Sequence, residues 1–248
     1  MPAPEGKSAK SDQPGLDDLL EDVFGLSLRA GTTLSHLLTK PAQIAAAARS
    51  PSFKDTYTPT IRLTFSLLTL MMLLSFFWAG ENSPFFELLR NIVESSAPEG
   101  TPDPVIDSLA KDFFAKYSVV YPVIYLIFQG TVGSLVFVWG NGTPLVARLR
   151  LYFSILAIGM LWALISIGFV AMTNLEMNTT YLISALLITF LIYSLFYSFL
   201  IEGTHSGSAK IWRAVLIAII VLIADNAIST LSAVTAGYWS ALEAATNT

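Results

Sequence analysis

Residues 214–237 read AVLIAIIVLIADNAISTLSAVTAG, twenty-four positions with a single charged side chain, Asp225. An apolar run of that length is what a helix needs to cross about 30 Å of hydrocarbon at 1.5 Å per residue. Four further windows, 63–80, 118–139, 151–172 and 180–201, contain no charged residue. Together the five windows occupy 108 of the 248 positions, so nearly half of the chain is suited to lipid. The expected fold is therefore all-α, a polytopic membrane bundle of five transmembrane helices preceded by an N-terminal cytoplasmic amphipathic segment.

The rest of the composition narrows the functional classes. Charged residues make up 13% of the chain, against roughly a quarter in soluble domains. A net charge of −4 and a pI near 5.1 leave no basic footprint for nucleic acid. The chain has no cysteine, which removes disulfides, thiol catalysis and thiolate metal ligands. Its two histidines, His36 and His205, are too few for a multi-histidine metal site, so neither a metal nor another cofactor is expected.

Three regions follow in order. Residues 1–14 are polar and rich in Pro and Gly, the makeup of a disordered tail. Residues 15–58 read as cytoplasmic amphipathic helices. Leu16, Leu19, Leu20, Val23 and Phe24, and then Leu34, Leu37 and Leu38, recur at helical spacing, with a break expected near Gly31. Pro41 opens a short Ala-rich helix to Arg49. Residues 59–248 form the five-helix transmembrane domain, entered at Thr58-Pro59. No apolar run precedes residue 60, so the first span is expected to act as its own insertion signal. Between the first and second spans, 81–117 is an extracytoplasmic helical loop. Ser83-Pro84 starts a helix with an apolar stripe of Phe85, Leu88, Leu89, Ile92 and Val93, expected to lie on the outer leaflet, and Asp103-Pro104 starts another.

Basic residues set the orientation. Segment 1–62 has seven Lys or Arg and loops 140–150 and 202–213 have two each, against three in 81–117 and none in 173–179 or 238–248. Eleven against three puts the N-terminus in the cytoplasm and the C-terminus across the membrane. Trp78, Trp139, Trp212 and Trp239 fall near span ends, as an interfacial aromatic belt requires.

Polar residues within the spans are the candidate site. Asp225 is twelfth of its 24 residues, where an aspartate costs roughly 2.5 to 3.5 kcal/mol on insertion scales. Asn226 adjoins it, and Ser229 and Ser232 continue its stripe. Gln129 and Thr189 fall at similar depth in the second and fourth spans, and the five groups Asp225, Asn226, Gln129, Thr189 and Ser229 are expected to face one another. Two roles fit: a protonatable or small-ligand site centred on Asp225, or an interhelical hydrogen-bonded joint. Gly130 and Gly133 give the second span a small face for close helix packing. The rings of Tyr193, Phe196, Tyr197 and Phe199 read as interfacial. Loop residues Glu202, His205 and Lys210 lie on a Gly/Ser stretch without the rigid support catalysis requires. The chain carries none of the common nucleotide, hydrolase or metalloprotease motifs, and no catalytic residue is assigned.

Over residues 30–80, the amphipathic helix, Lys40-Pro41, a short helix, and Tyr57-Thr58-Pro59-Thr60-Ile61-Arg62 entering the first span resemble a bacterial family of uncharacterised multi-pass membrane proteins, itself loosely similar to the Yip1-like five-span proteins. Lys40 stands where arginine is usual, and the N-terminal cysteine knuckle of many members is missing. The resemblance implies an integral protein of a bacterial inner membrane with no assigned reaction. The expected function is non-enzymatic, a scaffold, accessory or assembly subunit whose partners are the lipid bilayer and another membrane protein or a second copy of itself. The alternative is a transporter or permease subunit built around Asp225.

Overall fold

The computed structural model describes residues 28–78, 84–140, 142–173, 179–200 and 207–246. The expected tail, the helix over Leu16–Phe24, Ser83, Glu202 and His205 lie outside the described residues. All regular elements among the described residues are helices: α1 Leu28–Thr39, α2 Pro41–Ala48, α3 Phe53–Thr56, α4 Thr60–Trp78, α5 Pro84–Ser96, α6 Asp103–Leu135, α7 Leu145–Thr173, α8 Thr179–Leu200 and α9 Ser208–Thr246.

Four of them, α6, α7, α8 and α9, are long and apolar enough to cross a membrane. The apolar stretch of α4, Thr60–Leu74, is shorter. The four long helices alternate in direction and form a ring in which α9 packs on α6 and α8, and α7 packs on α6 and α8. Helix α4 lies outside the ring along α7, running parallel to it. Thr60 Oγ1 donates to the Arg150 carbonyl at 2.8 Å, and Thr64 Oγ1 to the Phe153 carbonyl at 2.9 Å. Helix α7 is thereby enclosed: every residue from Leu151 to Met160 is buried, as expected of a helix apolar on all faces.

The starts of α4, α7 and α9 and the ends of α6 and α8 share one end of the bundle, and α1 to α3 fold onto it. This basic end collects Arg29, Lys40, Arg49, Lys54, Arg62, Arg148, Arg150, Lys210 and Arg213. Arg150 ties the segment down, its Nη1 donating to the carbonyls of Ala48 at 3.2 Å and Ser50 at 2.8 Å while its guanidinium sits 4.9 Å from the Phe53 ring centroid. Thr33 Oγ1 accepts the Thr58 amide, and His36 Nδ1 lies 3.0 Å from the Tyr57 hydroxyl. The break expected near Gly31 does not occur: α1 runs through it. An interior glycine costs about 1 kcal/mol relative to alanine. Burial of Ala30 and Leu37 on the same helix outweighs that cost, because a fully buried leucine alone contributes roughly 1.5 to 3 kcal/mol.

At the opposite end α6 and α9 are longer than a membrane crossing requires. Their 33 and 39 residues span about 50 and 58 Å. The helix expected to start at Asp103-Pro104 and the apolar window from 118 are thus one continuous rod, bearing Pro122 within it. Helix α5 is pinned beside α6 by Arg90, which pairs with Asp103 at 2.8 Å, Asp107 at 2.9 Å and Glu94 at 3.2 Å. Lys116 pairs with Asp112 and, across the bundle, with Glu243, each at 2.8 Å.

Candidate functional site

Midway along the ring, four helices contribute one polar side chain each to a connected set. Gln129 of α6 donates through Nε2 to Asp225 Oδ1 of α9 at 2.6 Å, and the Tyr193 hydroxyl of α8 reaches Asp225 Oδ2 at 3.4 Å. The Tyr152 hydroxyl of α7 donates to Gln129 Oε1. Gln129 and Tyr152 are wholly buried. In hydrocarbon these groups have no water to turn to, so each satisfies the other's desolvated dipole or charge.

More phenols surround this set. Tyr117, Tyr121 and Tyr125 rise along one face of α6 at four-residue spacing, with ring centroids 5.3 and 5.7 Å apart. Tyr197 lies one turn from Tyr193 on α8. The buried hydroxyls of Tyr125 and Tyr197 and the Ser232 hydroxyl have no hydrogen-bond partner among the described residues. Ser229 faces the Tyr117 and Tyr121 hydroxyls.

Of the expected residues, the structure brings Asp225 and Gln129 together and keeps Ser229 on the same face. Asn226 and Thr189 do not join them. Asn226 is exposed and its Nδ2 donates to the Leu222 carbonyl at 2.8 Å, since one residue's advance turns it about 100° away from Asp225. Thr189 Oγ1 donates to the Ala185 carbonyl at 2.8 Å, satisfying itself within its own helix. Gly133 is a close-approach position: a Cβ there would fall 2.8 Å from Tyr152 Cδ1. Gly130 is not, because nothing lies within 4 Å of a Cβ built on it, and it faces off the α6–α7 contact.

The tyrosines are what sequence reasoning missed. Tyr193 and Tyr197, read as interfacial rings, are buried at 3% and 0% exposure and point into the ring of helices. Tyr121, Tyr125 and Tyr152 drew no attention, although the i, i+4 pairing of Tyr121 with Tyr125 and of Tyr193 with Tyr197 is a legible signal of one shared face. Trp139, assigned to the belt, is also inside, 1% exposed and 6.3 Å from the Tyr197 ring. Gly159 was overlooked; a Cβ on it would meet the Tyr193 ring.

The arrangement can hold a proton or a hydrogen-bonding guest among carboxyl, amide and phenols, and it can join helices. Among the described residues no three His, Cys, Asp or Glu side chains converge as metal ligands. Compared with known proteins, the chain matches no family, no curated protein and no solved structure.

Proposed function

We propose that this is a five-span integral protein of a bacterial inner membrane, with a cytoplasmic N-terminus and an extracytoplasmic C-terminus, that works without a reaction of its own as a scaffold, accessory or assembly subunit of a membrane complex. Helix α4 is the first span: its 19 residues extend about 28 Å, close to the hydrocarbon thickness. The basic end faces the cytoplasm by the positive-inside rule. The amphipathic α1 belongs to a cytoplasmic segment folded onto that face, in keeping with the resemblance to five-span bacterial proteins noted in the sequence.

The observation that carries the functional reading is the commitment of Asp225. Both of its oxygens are engaged by other helices, so the one charge within the long apolar runs serves as a joint between α6, α8 and α9. Isolation of the tagged protein in mild detergent, with mass spectrometry and a native-mass measurement, tests it. A stoichiometric partner or a homo-oligomer is expected; a bare monomer overturns the reading.

A second reading, a transporter or permease subunit, has its own observation. The unpartnered hydroxyls of Tyr125 and Tyr197 lie near Asp225 in the same polar core, and buried orphan groups of this kind mark places where a polar guest fits. Proton flux into vesicles carrying a pH-sensitive dye is the measurement. Flux abolished by Asp225→Asn in folded protein supports transport, and flux unchanged by it removes Asp225 from any transport mechanism.

A further inference from the structure

Polar side chains are distributed unevenly on the two sides of Asp225 along the bundle axis. Toward the far end, opposite the basic one, they continue. Ser229, one turn on from Asp225, faces the hydroxyls of both Tyr121 and Tyr117. Tyr121 is buried, whereas Tyr117 is part-buried and stands just outside the apolar window that begins at 118. Gln129, which meets Asp225, lies about 18 Å along α6 from Tyr117, a little over half of the hydrocarbon thickness. Between these levels Tyr125 of α6 and Ser232 of α9 carry wholly buried hydroxyls with no partner among the described residues. Buried hydroxyls in that state are places where water fits.

Toward the basic end the core is apolar. The buried face of α9 continues there as Val221, Ala218, Ile217 and Ala214, each at most 2% exposed. These belong to one buried cluster with Leu200 and Trp139. The last phenol on this side is Tyr197, whose ring has that of Trp139 6.3 Å away. Among the described residues the titratable groups that face Asp225 are all phenols: Tyr121 and Tyr125 from α6, Tyr152 from α7, Tyr193 and Tyr197 from α8.

We propose that Asp225 takes up protons from the solution at the far end, along a file of the Tyr117, Ser229 and Tyr121 hydroxyls completed by water, and is closed to the solution at the basic end. Each hydroxyl both donates and accepts, so a proton entering at Tyr117 displaces the next one inward, and the carboxylate of Asp225 keeps the last. Tyr121, Tyr125 and the carboxylate offer a water the two to four partners that it needs. A carboxylate accepts more than two hydrogen bonds, which leaves room for that water beside Gln129 and Tyr193. The inference rests on the transport reading and gives it an ion, the proton, and a side of entry.

The test uses the full chain in proteoliposomes whose copies face one way, as judged by trypsin access to the basic end, with the pH set separately inside and outside. Dicyclohexylcarbodiimide, which is lipid-soluble and couples to protonated carboxyl groups, reports on Asp225 through mass spectrometry of the peptide that carries it. Proton flux is recorded in the same vesicles. Acidifying the far-end solution is expected to raise labelling several-fold, and acidifying the basic-end solution to leave it unchanged. Labelling that follows the basic-end pH, both sides equally, or neither overturns the proposal. Ser229→Ala with Tyr121→Phe is expected to slow the response to far-end acid several-fold. A folded double variant that responds as fast as the natural chain also overturns it, and the comparison of sides stands even if that variant fails to fold. Flux that depends on Asp225 while labelling ignores the far end overturns the path and leaves transport standing. Flux unchanged by Asp225→Asn removes the transport reading and this inference with it.

Discussion

Gln129 Nε2 and Asp225 Oδ1 lie 2.6 Å apart although 96 positions separate them in the chain. The amide is oriented for this contact from its far side, where its oxygen receives the Tyr152 hydroxyl. A glutamine held at both ends has one rotamer and one rotational setting of α6 open to it. The pair therefore fixes how α6 is turned relative to both α7 and α9.

Replacing Gln129 by leucine, Asp225 by leucine, and both together should give a coupling energy near 1 kcal/mol in a double-mutant cycle, within the roughly 0.6 to 2 kcal/mol span of interhelical hydrogen bonds in membranes. Reversible unfolding in detergent measures it. Additive losses would mean that the two side chains do not act as a pair.

Gly133→Ala and Gly130→Ala should part company. The first places a methyl 2.8 Å from the Tyr152 ring and is expected to destabilise by about 1 to 3 kcal/mol, as overpacking does. The second meets nothing within 4 Å and should be neutral or stabilising by less than about 1 kcal/mol. Thermal unfolding of the two variants side by side is the check.

Glu243 gives a pH signature. Its hydrogen bond from Lys116, and then that from Trp239, hold its carboxyl below the ordinary glutamate range. A lowered folded-state pKa means stability that is present at neutral pH and lost on acidification, as pH falls through the ordinary value and on to the folded one. The melting temperature of the natural chain should thus fall below about pH 4.5 more steeply than that of Glu243→Gln. Parallel curves for the two would sever the Lys116 contact from stability.

Arg150→Gln should release the segment that α1 to α3 form. It loses the bonds to the Ala48 and Ser50 carbonyls and the Phe53 ring contact. Limited trypsin digestion is expected to cut after Arg49 or Lys54 several-fold faster, with the helices of the ring still protected.

The absence of cysteine permits a direct test of the first crossing. Asp55→Cys and Glu99→Cys place single thiols on exposed positions before and after α4. With α4 spanning, an impermeant maleimide added to whole cells labels position 99 and leaves position 55 untouched. Equal labelling of both would confine α4 to one side and reduce the spans to four.

Much of this architecture was open to reading from apolar run length. The windows 151–172 and 180–201 lie within or one residue off α7 and α8, because a stretch with no charge and no strong breaker has little choice but to be helical in lipid. Their ends were less legible. Helix α6 stops at Leu135, four residues short of the apolar window, where carbonyls of the last turn and connector turn to Arg148 and Arg213, and glycines 140 and 142 take positive φ. Asp225 and Gln129 could be matched by depth alone. Depth does not fix rotation, which is why Asn226 and Thr189 were placed in the same cluster and belong elsewhere. The tyrosines were hidden by their chemistry: an amphipathic ring suits an interface and a buried hydrogen bond equally well, and only the partner helix decides.

The overhang of α9 has a mechanical side. From Asp225 the rod continues about 32 Å to Thr246, held against α6 by Ser229 at the level of Tyr117 and Tyr121 and near its tip by Lys116, which meets both Ser240 and Glu243. Fastened at the polar joint, at the tyrosine level and at the tip, α6 and α9 form a double-shafted splint, so the ends that project beyond the other helices move together as one stiff body.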